Sequence, residues 1–339
     1  MKKRISSIGR VIVLGTMIAC MFAGCGNGTG IGNSGKVEKA AKVEEDELEP
    51  DSVVISVGDE TASYKELLVY MYILKDRYQD TLGDSIWDYK LSNGKSFKST
   101  TISQVVSLIS QLKIIGRKAE GLGITLTSDE REEIRQYVSG LFSDIDTSDI
   151  NKYLLDVETM TEVYCENEIA NKVYDSCING VNTSISDDES RQCKVWYIFL
   201  QTSGVNQSGV TVSLSEKEIN KRLKEAAKLR KEALQTQDFL KFAQANTESE
   251  SAELTFGKGE MSAEFEAAAF ALSEGQISEV VTAPEGFYII YCVDANDEEL
   301  AAAKKEEKIA EAQKANFESQ YKTWASEFDV EVSELILVD

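Results

Sequence analysis

The chain has 339 residues, enough for two or three domains, and 42% of them are apolar, which allows a sizeable core. Its 36 basic and 58 acidic residues give a net charge of −22, which disfavours binding to nucleic acid. Because the sequence has no histidine, it excludes Ser-His-Asp and Cys-His catalysis and His-ligated zinc. The six cysteines form no CxxC pair, so a zinc ribbon or thioredoxin-type redox site has no support, and no metal or cofactor is expected.

Residues 1–24 have the pattern of a targeting peptide, a basic start followed by an apolar run at 11–22 that is too short to span a membrane comfortably. Small residues before Cys25 and a Gly/Asn-rich stretch after it resemble a bacterial lipobox, although Phe22 stands where leucine is usual. The resemblance implies cleavage before Cys25, a diacylglyceryl group on its sulfur and, in some organisms, acylation of its amine. Two acyl chains suffice for stable anchoring. Cys20 is a second candidate, and an ordinary secretory peptide or one anchoring helix are the alternatives.

Residues 25–50 are rich in Gly and Asn and then in charge, with almost no apolar content. This composition predicts a disordered tether with a reach of roughly 25–30 Å. The globular part is expected to begin near Asp51.

Residues 51–190 are predicted to be mainly helical. After a short strand at 53–57, apolar residues recur at three- and four-residue spacing, which is typical of amphipathic helices. The predicted helices are 64–78, 102–120, one that begins at the capping box formed by Thr127 and Glu130, and a long one from 148 or 149 to about 177. Residues 83–100 are predicted to be a loop.

The pattern changes in residues 191–295. Residues 193–200 and 287–293 are apolar runs predicted to be buried strands, and Val280-Val281 a short one. Helices are predicted after the capping box of Ser215 and Glu218, after Asp238 and over 261–272. This order predicts a compact α+β domain. Residues 296–339 contribute a charged helix over 298–326 and an edge strand over 330–338.

Residues 239–293 resemble the parvulin type of peptidyl-prolyl isomerase domain. The matching residues are Gly259-Glu260-Met261, Glu264-Phe265-Glu266, Ala268-Ala269-Phe270, Gly275-Gln276-Ile277-Ser278, Val280-Val281-Thr282 and Gly286-Phe287-Tyr288-Ile289-Ile290. The flanking segments resemble the helical chaperone domain of PrsA- and SurA-like foldases. The resemblance implies an α+β fold in which residues 51–190 and 296–339 form a chaperone domain around an inserted parvulin domain at 191–295.

The resemblance also implies a site for a prolyl ring. Its apolar walls fall at Leu254, Phe256, Met261 and Phe265. Plain core packing is the alternative for these side chains.

Parvulins carry two histidines side by side in the sheet, and here Tyr197 and Tyr288 occupy those positions, with Ser249 at the acidic or cysteine position. Two tyrosines could keep a polar floor, but they are bulkier than imidazoles. The alternatives are a cross-strand aromatic pair for the tyrosines and a loop residue for Ser249.

If Tyr197 and Tyr288 face each other across antiparallel strands, Cys193 and Cys292 face each other too, four residues away on the same side of the sheet. In an oxidising exterior these thiols could form a disulfide. Two reduced core thiols are the alternative.

Three functions are consistent with this sequence. The first is a lipid-anchored foldase or chaperone on the outer face of the cell membrane, which binds unfolded secreted polypeptides and has weak or lost isomerase activity. The second is a fully active prolyl isomerase of the same build. The third is a solute-binding lipoprotein, which normally requires two lobes with repeated βα units.

Overall fold

A computed structural model gives the structure of residues 48–205 and 211–337. The targeting peptide, Cys20, Cys25 and most of the predicted tether lie outside these described residues. The chain groups into two compact units. We call residues 48–181 and 314–337 the helical unit, and residues 182–313 the sheet unit.

The described strands are β1 (Val53–Val57), β2 (Glu60–Ser63), β3 (Gln192–Gln201), β4 (Ser203–Val205), β5 (Thr211–Ser213), β6 (Glu253–Gly257), β7 (Val281–Ala283), β8 (Gly286–Asp294) and β9 (Val330–Val332). The described α-helices are α1 (Tyr64–Leu82), α2 (Phe97–Leu122), α3 (Ser128–Ser143), α4 (Thr147–Lys152), α5 (Val157–Ile178), α6 (Asp187–Ser190), α7 (Glu216–Ala233), α8 (Phe239–Asn246), α9 (Ala263–Phe270) and α10 (Glu298–Ala325). Short 3-10 helices lie at Asp84–Asp88 and Glu334–Ile336. Helices and antiparallel strands together confirm the predicted α+β class.

The helical unit packs α2, α3 and α5 together around one core, in which the side chains of Ile109, Val138 and Val173 have no exposed area. A small antiparallel sheet of order β2-β1-β9 joins the two ends of this unit's chain. The predicted edge strand at 330–338 is therefore present but shorter, over Val330–Val332. The capping box of Thr127 and Glu130 is confirmed at the start of α3.

Two local predictions in this unit are wrong. The predicted helix from 148 to 177 is divided into α4 and α5, and Leu154 between them has a φ of 50°. Asp156 explains the break, because its carboxylate accepts a hydrogen bond from the Thr159 amide at 2.7 Å and so starts a new helix. The predicted loop over 83–100 contains a 3-10 helix and the first turn of α2, since Ser96 caps that helix.

The sheet unit contains an antiparallel sheet of order β6-β3-β8-β7, and β4 and β5 pair in a separate two-stranded antiparallel sheet. One face of the sheet packs on α9, and the other packs on α7 and α8. The strands were predicted to be buried, and side chains at alternate positions do point into two different cores. The predicted helix starts at Ser215 and Asp238 are confirmed by the side-chain caps of α7 and α8.

The predicted strand register is wrong by two residues. Tyr288 faces Phe199 instead of Tyr197, and Cys292 faces Val195 instead of Cys193. Because side chains alternate with a period of two, a shift of two residues keeps them on the same face. The two tyrosines and the two cysteines therefore still share one core, as diagonal neighbours. A register irregularity between residues 194 and 195 accompanies the shift.

Within residues 48–205 and 211–337, no helix combines the length and apolar character needed to cross a bilayer.

Candidate functional site

Two buried tyrosines mark the centre of the candidate site. Tyr197 lies on β3 and Tyr288 on β8, and their ring centroids are 6.0 Å apart at an interplanar angle of 48°. Only 8% and 5% of their surfaces are exposed. The structure thus brings together the two residues that the sequence analysis aligned with the parvulin histidines.

The hydroxyl of Tyr197 has Ser249 as its partner. The two hydroxyl oxygens are 2.8 Å apart, and either one can donate. Ser249 is held in place by Thr247, whose Oγ1 accepts hydrogen bonds from the amides of Ser249 at 3.3 Å and Phe199 at 3.0 Å. Ser249 is therefore a neighbour of the tyrosine pair, on the segment between α8 and β6.

The hydroxyl of Tyr288 donates to Glu285 Oε1 at 2.9 Å. The Ser262 hydroxyl donates to the same carboxylate oxygen at 2.7 Å. Burial, and next the adjacent Glu285 carboxylate, raise the pKa of Tyr288, so this phenol stays protonated and acts as a donor. Sequence reasoning missed Glu285, although it lies three residues before Tyr288 in the turn between β7 and β8.

The turn that carries Glu285 depends on a glycine. A Cβ at Gly286 would overlap the carbonyl oxygen of Leu200 and the ring of Phe199. Only glycine permits this close approach of β8 to β3. The backbone oxygen of Glu285 also accepts a hydrogen bond from the Thr202 amide at 3.1 Å, which holds the backbone of this turn against the end of β3.

Phe265 is the central member of the four predicted wall residues and has no exposed area. Its ring makes edge-to-face contacts with Tyr288, Tyr197 and Phe256, with centroid distances of 4.9, 5.9 and 5.3 Å. Leu254 and Met261 are partly buried and pack against the same cluster. The four predicted wall residues are thus together, and the tyrosine rings occupy the space next to Phe265.

Met261 is positioned by a hydrogen-bonded loop between β6 and α9. Glu266 Oε1 accepts from the amides of Gly259 at 2.7 Å and Met261 at 3.0 Å. Gly259 has a φ of 88°, which favours glycine. The loop therefore presents the partly exposed Met261 side chain in a fixed place.

Cys193 and Cys292 lie in the same core as the tyrosines, and both are free thiols in the structure. The Cys193 thiol donates to the Asp294 carbonyl oxygen at 3.3 Å. Burial, and next the Cys292 thiol, raise the pKa of Cys193 to about 12, and burial raises the pKa of Cys292. Such thiols are protonated and poorly nucleophilic at neutral pH. A disulfide between them stays a prediction.

The arrangement offers hydroxyl donors, one carboxylate and aromatic surface. In the described part of the chain, no group of three or more Cys, Asp and Glu residues is arranged to hold a metal ion. A site of this composition can hold an apolar ring and hydrogen-bond an amide, which are the demands of binding an Xaa-Pro segment.

Comparison with protein families gives a match to the sheet unit. Residues 201–294 match the family model "Rotamase: PPIC-type PPIASE domain". The chain carries a PPIC-type domain. The match confirms the parvulin resemblance, and it includes Ser249, Glu285 and Tyr288 but begins after Tyr197.

Several solved structures are similar to this chain. A peptidylprolyl isomerase, PrsA, from Bacillus cereus is 18% identical, over 85% of this chain and 96% of that one, with a TM-score of 0.33. The foldase PrsA from Lactococcus lactis is 14% identical, over 84% and 95%, with a TM-score of 0.32. A SurA-like chaperone from Campylobacter jejuni is 10% identical, over 83% and 99%, with a TM-score of 0.32. No curated protein matches the chain.

Proposed function

We propose that this chain is a membrane-anchored foldase whose PPIC-type domain binds Xaa-Pro segments of unfolded secreted polypeptides and has weak or lost isomerase activity. The burial of Phe265 under the rings of Tyr197 and Tyr288 carries this proposal. A client's prolyl ring has to displace these rings before it reaches the floor of the site.

The burial of Phe265 is expected to weaken catalysis because of what isomerisation requires. The barrier to rotation of a peptide bond is about 18–20 kcal/mol, and catalysis requires contacts that are stronger in the twisted state than in the ground state. An enzyme of this type must hold the prolyl ring while the amide rotates. Each contact that the client gains at Phe265 is offset by an aromatic contact that the protein loses. Binding at the partly exposed Met261 and Leu254 has no such cost.

The expected isomerase activity is therefore close to the uncatalysed level. Exchange NMR on an Xaa-Pro peptide is expected to give a rate within about twofold of the peptide alone. In the double variant Tyr197→His/Tyr288→His, smaller rings open the space beside Phe265, and we expect roughly a tenfold gain over the unmodified protein, or about 1.4 kcal/mol in the barrier.

Tyr291→His is the matched control, because Tyr291 lies on the same strand but stacks on Trp196 on the opposite face. It is expected to leave the rate unchanged. A rate hundreds of times above the uncatalysed one in the unmodified protein would rule out the weak-activity proposal.

A second candidate is a fully active isomerase, and the hydroxyl network favours it. The bonds of Tyr197 to Ser249 and of Tyr288 to Glu285 supply polar groups at the position of the missing imidazoles. The same NMR measurement separates the two candidates. Suppression of the aggregation of an unfolded client, without rate enhancement, would support the first.

Anchoring at the membrane is proposed from the lipobox resemblance around Cys25. The variant Cys25→Ser lacks the sulfur that would carry the diacylglyceryl group, so the protein is expected to move from the membrane fraction to the soluble fraction or to keep its targeting peptide. Cys20→Ser is the control and is expected to stay in the membrane. Fractionation with mass spectrometry of the N-terminus tests this, and retention of acylated Cys25→Ser protein would contradict it.

A further inference from the structure

We infer that Glu285 and Phe199 form a niche for the lysine or arginine side chain of a client residue next to the proline, so that the site selects cationic Xaa-Pro segments. This inference rests on the proposed function and names the substrate class of the same site. It follows from the geometry of one carboxylate, the aromatic ring beside it and the charges around both.

Glu285 is a carboxylate whose direction is fixed by two hydrogen bonds from neutral hydroxyl groups. Its Oε1 accepts the two hydroxyl hydrogen bonds from Tyr288 and Ser262, and its side chain is half-buried. Among the described residues, no lysine or arginine lies within ion-pair distance of it. The two neutral donors fix the direction of the carboxylate but do not neutralise it.

Other carboxylates of this unit near the candidate site are already engaged. Glu248 pairs with Arg222 at 2.5 Å, and Glu260 lies 3.7 Å from Lys304. Glu266 accepts two backbone amides. Glu285 therefore stands out as the carboxylate that hydrogen-bonds Tyr288 and has no cation within ion-pair distance in the described part of the chain.

An aromatic surface lies against two neighbours of this carboxylate, the Tyr288 ring that donates to it and the backbone of Gly286. Phe199 stacks on Tyr288 with a centroid distance of 4.7 Å and an interplanar angle of 27°, and it is partly exposed. Its ring also lies against Gly286, the residue after Glu285. A carboxylate next to an aromatic face is the environment that binds guanidinium and ammonium groups.

The charge distribution along the sheet unit favours the same ligand. Between Glu248 and Glu299, the sequence has thirteen acidic residues and a single basic one, Lys258, which pairs with Asp188. These acidic residues are Glu248, Glu250, Glu253, Glu260, Glu264, Glu266, Glu274, Glu279, Glu285, Asp294, Asp297, Glu298 and Glu299. Seven basic residues of this unit lie on α7, which packs on the opposite face of the sheet. Two of them, Arg222 and Arg230, pair with Glu248 and Glu279, and outside α7 Arg191 stacks on Phe270. The net excess of negative charge in this segment attracts cations and repels acidic or phosphorylated peptides.

The test compares three end-blocked Xaa-Pro peptides that differ only in Xaa, which is lysine, leucine or glutamate. The full chain is titrated with each one, and the methyl signal of Met261, assigned with the Met261→Leu variant, reports binding at this site. At low ionic strength we expect the lysine peptide to bind about five- to tenfold more tightly than the leucine peptide, and the glutamate peptide to bind most weakly. Added salt should reduce the preference.

The ratio of the lysine and leucine affinities within one variant is the decisive quantity. In Glu285→Gln, this ratio is expected to fall to within about twofold of one. Glu306→Gln, which changes the net charge equally at an exposed position on α10, is the matched control and should keep the ratio. Phe199→Leu is expected to reduce the ratio by a smaller factor, because it removes only the aromatic face.

The outcomes separate the inference from the proposed function. If no peptide shifts the Met261 signal, the proposed function itself fails. If all three peptides bind with equal affinity, or the glutamate peptide binds best, the inference is wrong while the function stands. If Glu285→Gln keeps the preference and Glu306→Gln lowers it, general charge rather than the niche selects the peptide, and the inference is overturned.

Discussion

Phe265→Ala is expected to lower the free energy of unfolding of the sheet unit by about 3–5 kcal/mol, the usual cost of removing a fully buried phenylalanine. Phe265 has no exposed area, and its ring contacts those of Tyr197, Tyr288 and Phe256. These rings belong to β3, β8 and β6, whose strand pairing holds them in place. They cannot collapse into the vacated volume without moving the strands, so the cavity term adds to the lost burial.

The loss of stability can be followed separately for the sheet unit within the full chain. Of the three tryptophans, only Trp196 lies in this unit, so denaturant unfolding of a Trp87→Phe/Trp324→Phe background followed by fluorescence reports on it. Phe270→Ala is the matched control on the same surface, because Phe270 is only partly buried and stacks on Phe256 alone among the rings of this core. We expect it to cost less than half as much. Equal losses for the two variants would contradict the central role of Phe265.

In the main sheet, the face on which a residue lies could be predicted from the sequence, but the register between β3 and β8 could not. The parvulin resemblance, combined with the alternation of side chains along a strand, correctly placed Tyr197, Tyr288 and both cysteines of these strands on one face. The same alternation is equally satisfied by strands displaced by two residues, and only packing selects between them. The close contact of Gly286 with Leu200 is such a packing constraint, and it is visible only in three dimensions.

Local hydrogen-bonding signals were more reliable than long-range ones. The capping boxes at Thr127 and Ser215 depend on residues three apart, and both are present. The Asp156 cap uses the same chemistry, but the apolar stripe on either side of it suggested one continuous helix. Glu285 had no recognisable local pattern, because its role depends on Tyr288 and on Ser262, which is 23 residues away.

A charge cluster in the helical unit could not be predicted from the sequence either. Lys113 lies on the apolar stripe of α2, with a side chain only 7% exposed, and contacts Glu66 at 3.0 Å and Glu166 at 2.5 Å. These residues come from α1, α2 and α5, and Lys113 and Glu166 are 53 positions apart. After burial, the charges of Glu162 and Glu60 also raise the pKa of Glu166. Burial, and next the charges of Glu166 and Glu66, raise the pKa of Tyr70, whose hydroxyl accepts a hydrogen bond from Asn167.

The cluster makes the stability of the helical unit depend on pH. Burial, and next the Glu166 charge, raise the pKa of Glu66 to about 7, and burial also raises the pKa of Glu166. One ammonium balances one carboxylate, so the second carboxylate is favoured in its protonated form. Since the folded-state pKa of Glu66 exceeds its value of about 4.5 in an unfolded chain, the stabilisation is fully present below pH 4.5 and is lost as pH rises through 7. Between pH 5.5 and 8.5 we expect a loss of about 1–3 kcal/mol.

Two substitutions in this cluster are expected to act in opposite directions at pH 8.5. Lys113→Met leaves two partly buried carboxylates without their cation and should destabilise the helical unit by about 3–5 kcal/mol, with a smaller loss at pH 5.5, where one carboxylate can take a proton. Glu66→Gln removes the excess charge, so it should flatten the pH profile and raise the stability at pH 8.5. Denaturant unfolding followed by Trp87 and Trp324 fluorescence in a Trp196→Phe background measures this unit. If the Glu66→Gln protein keeps the pH dependence of the parent, another group causes that dependence. If Lys113→Met lowers the free energy of unfolding equally at both pH values, the loss comes from packing and not from charge.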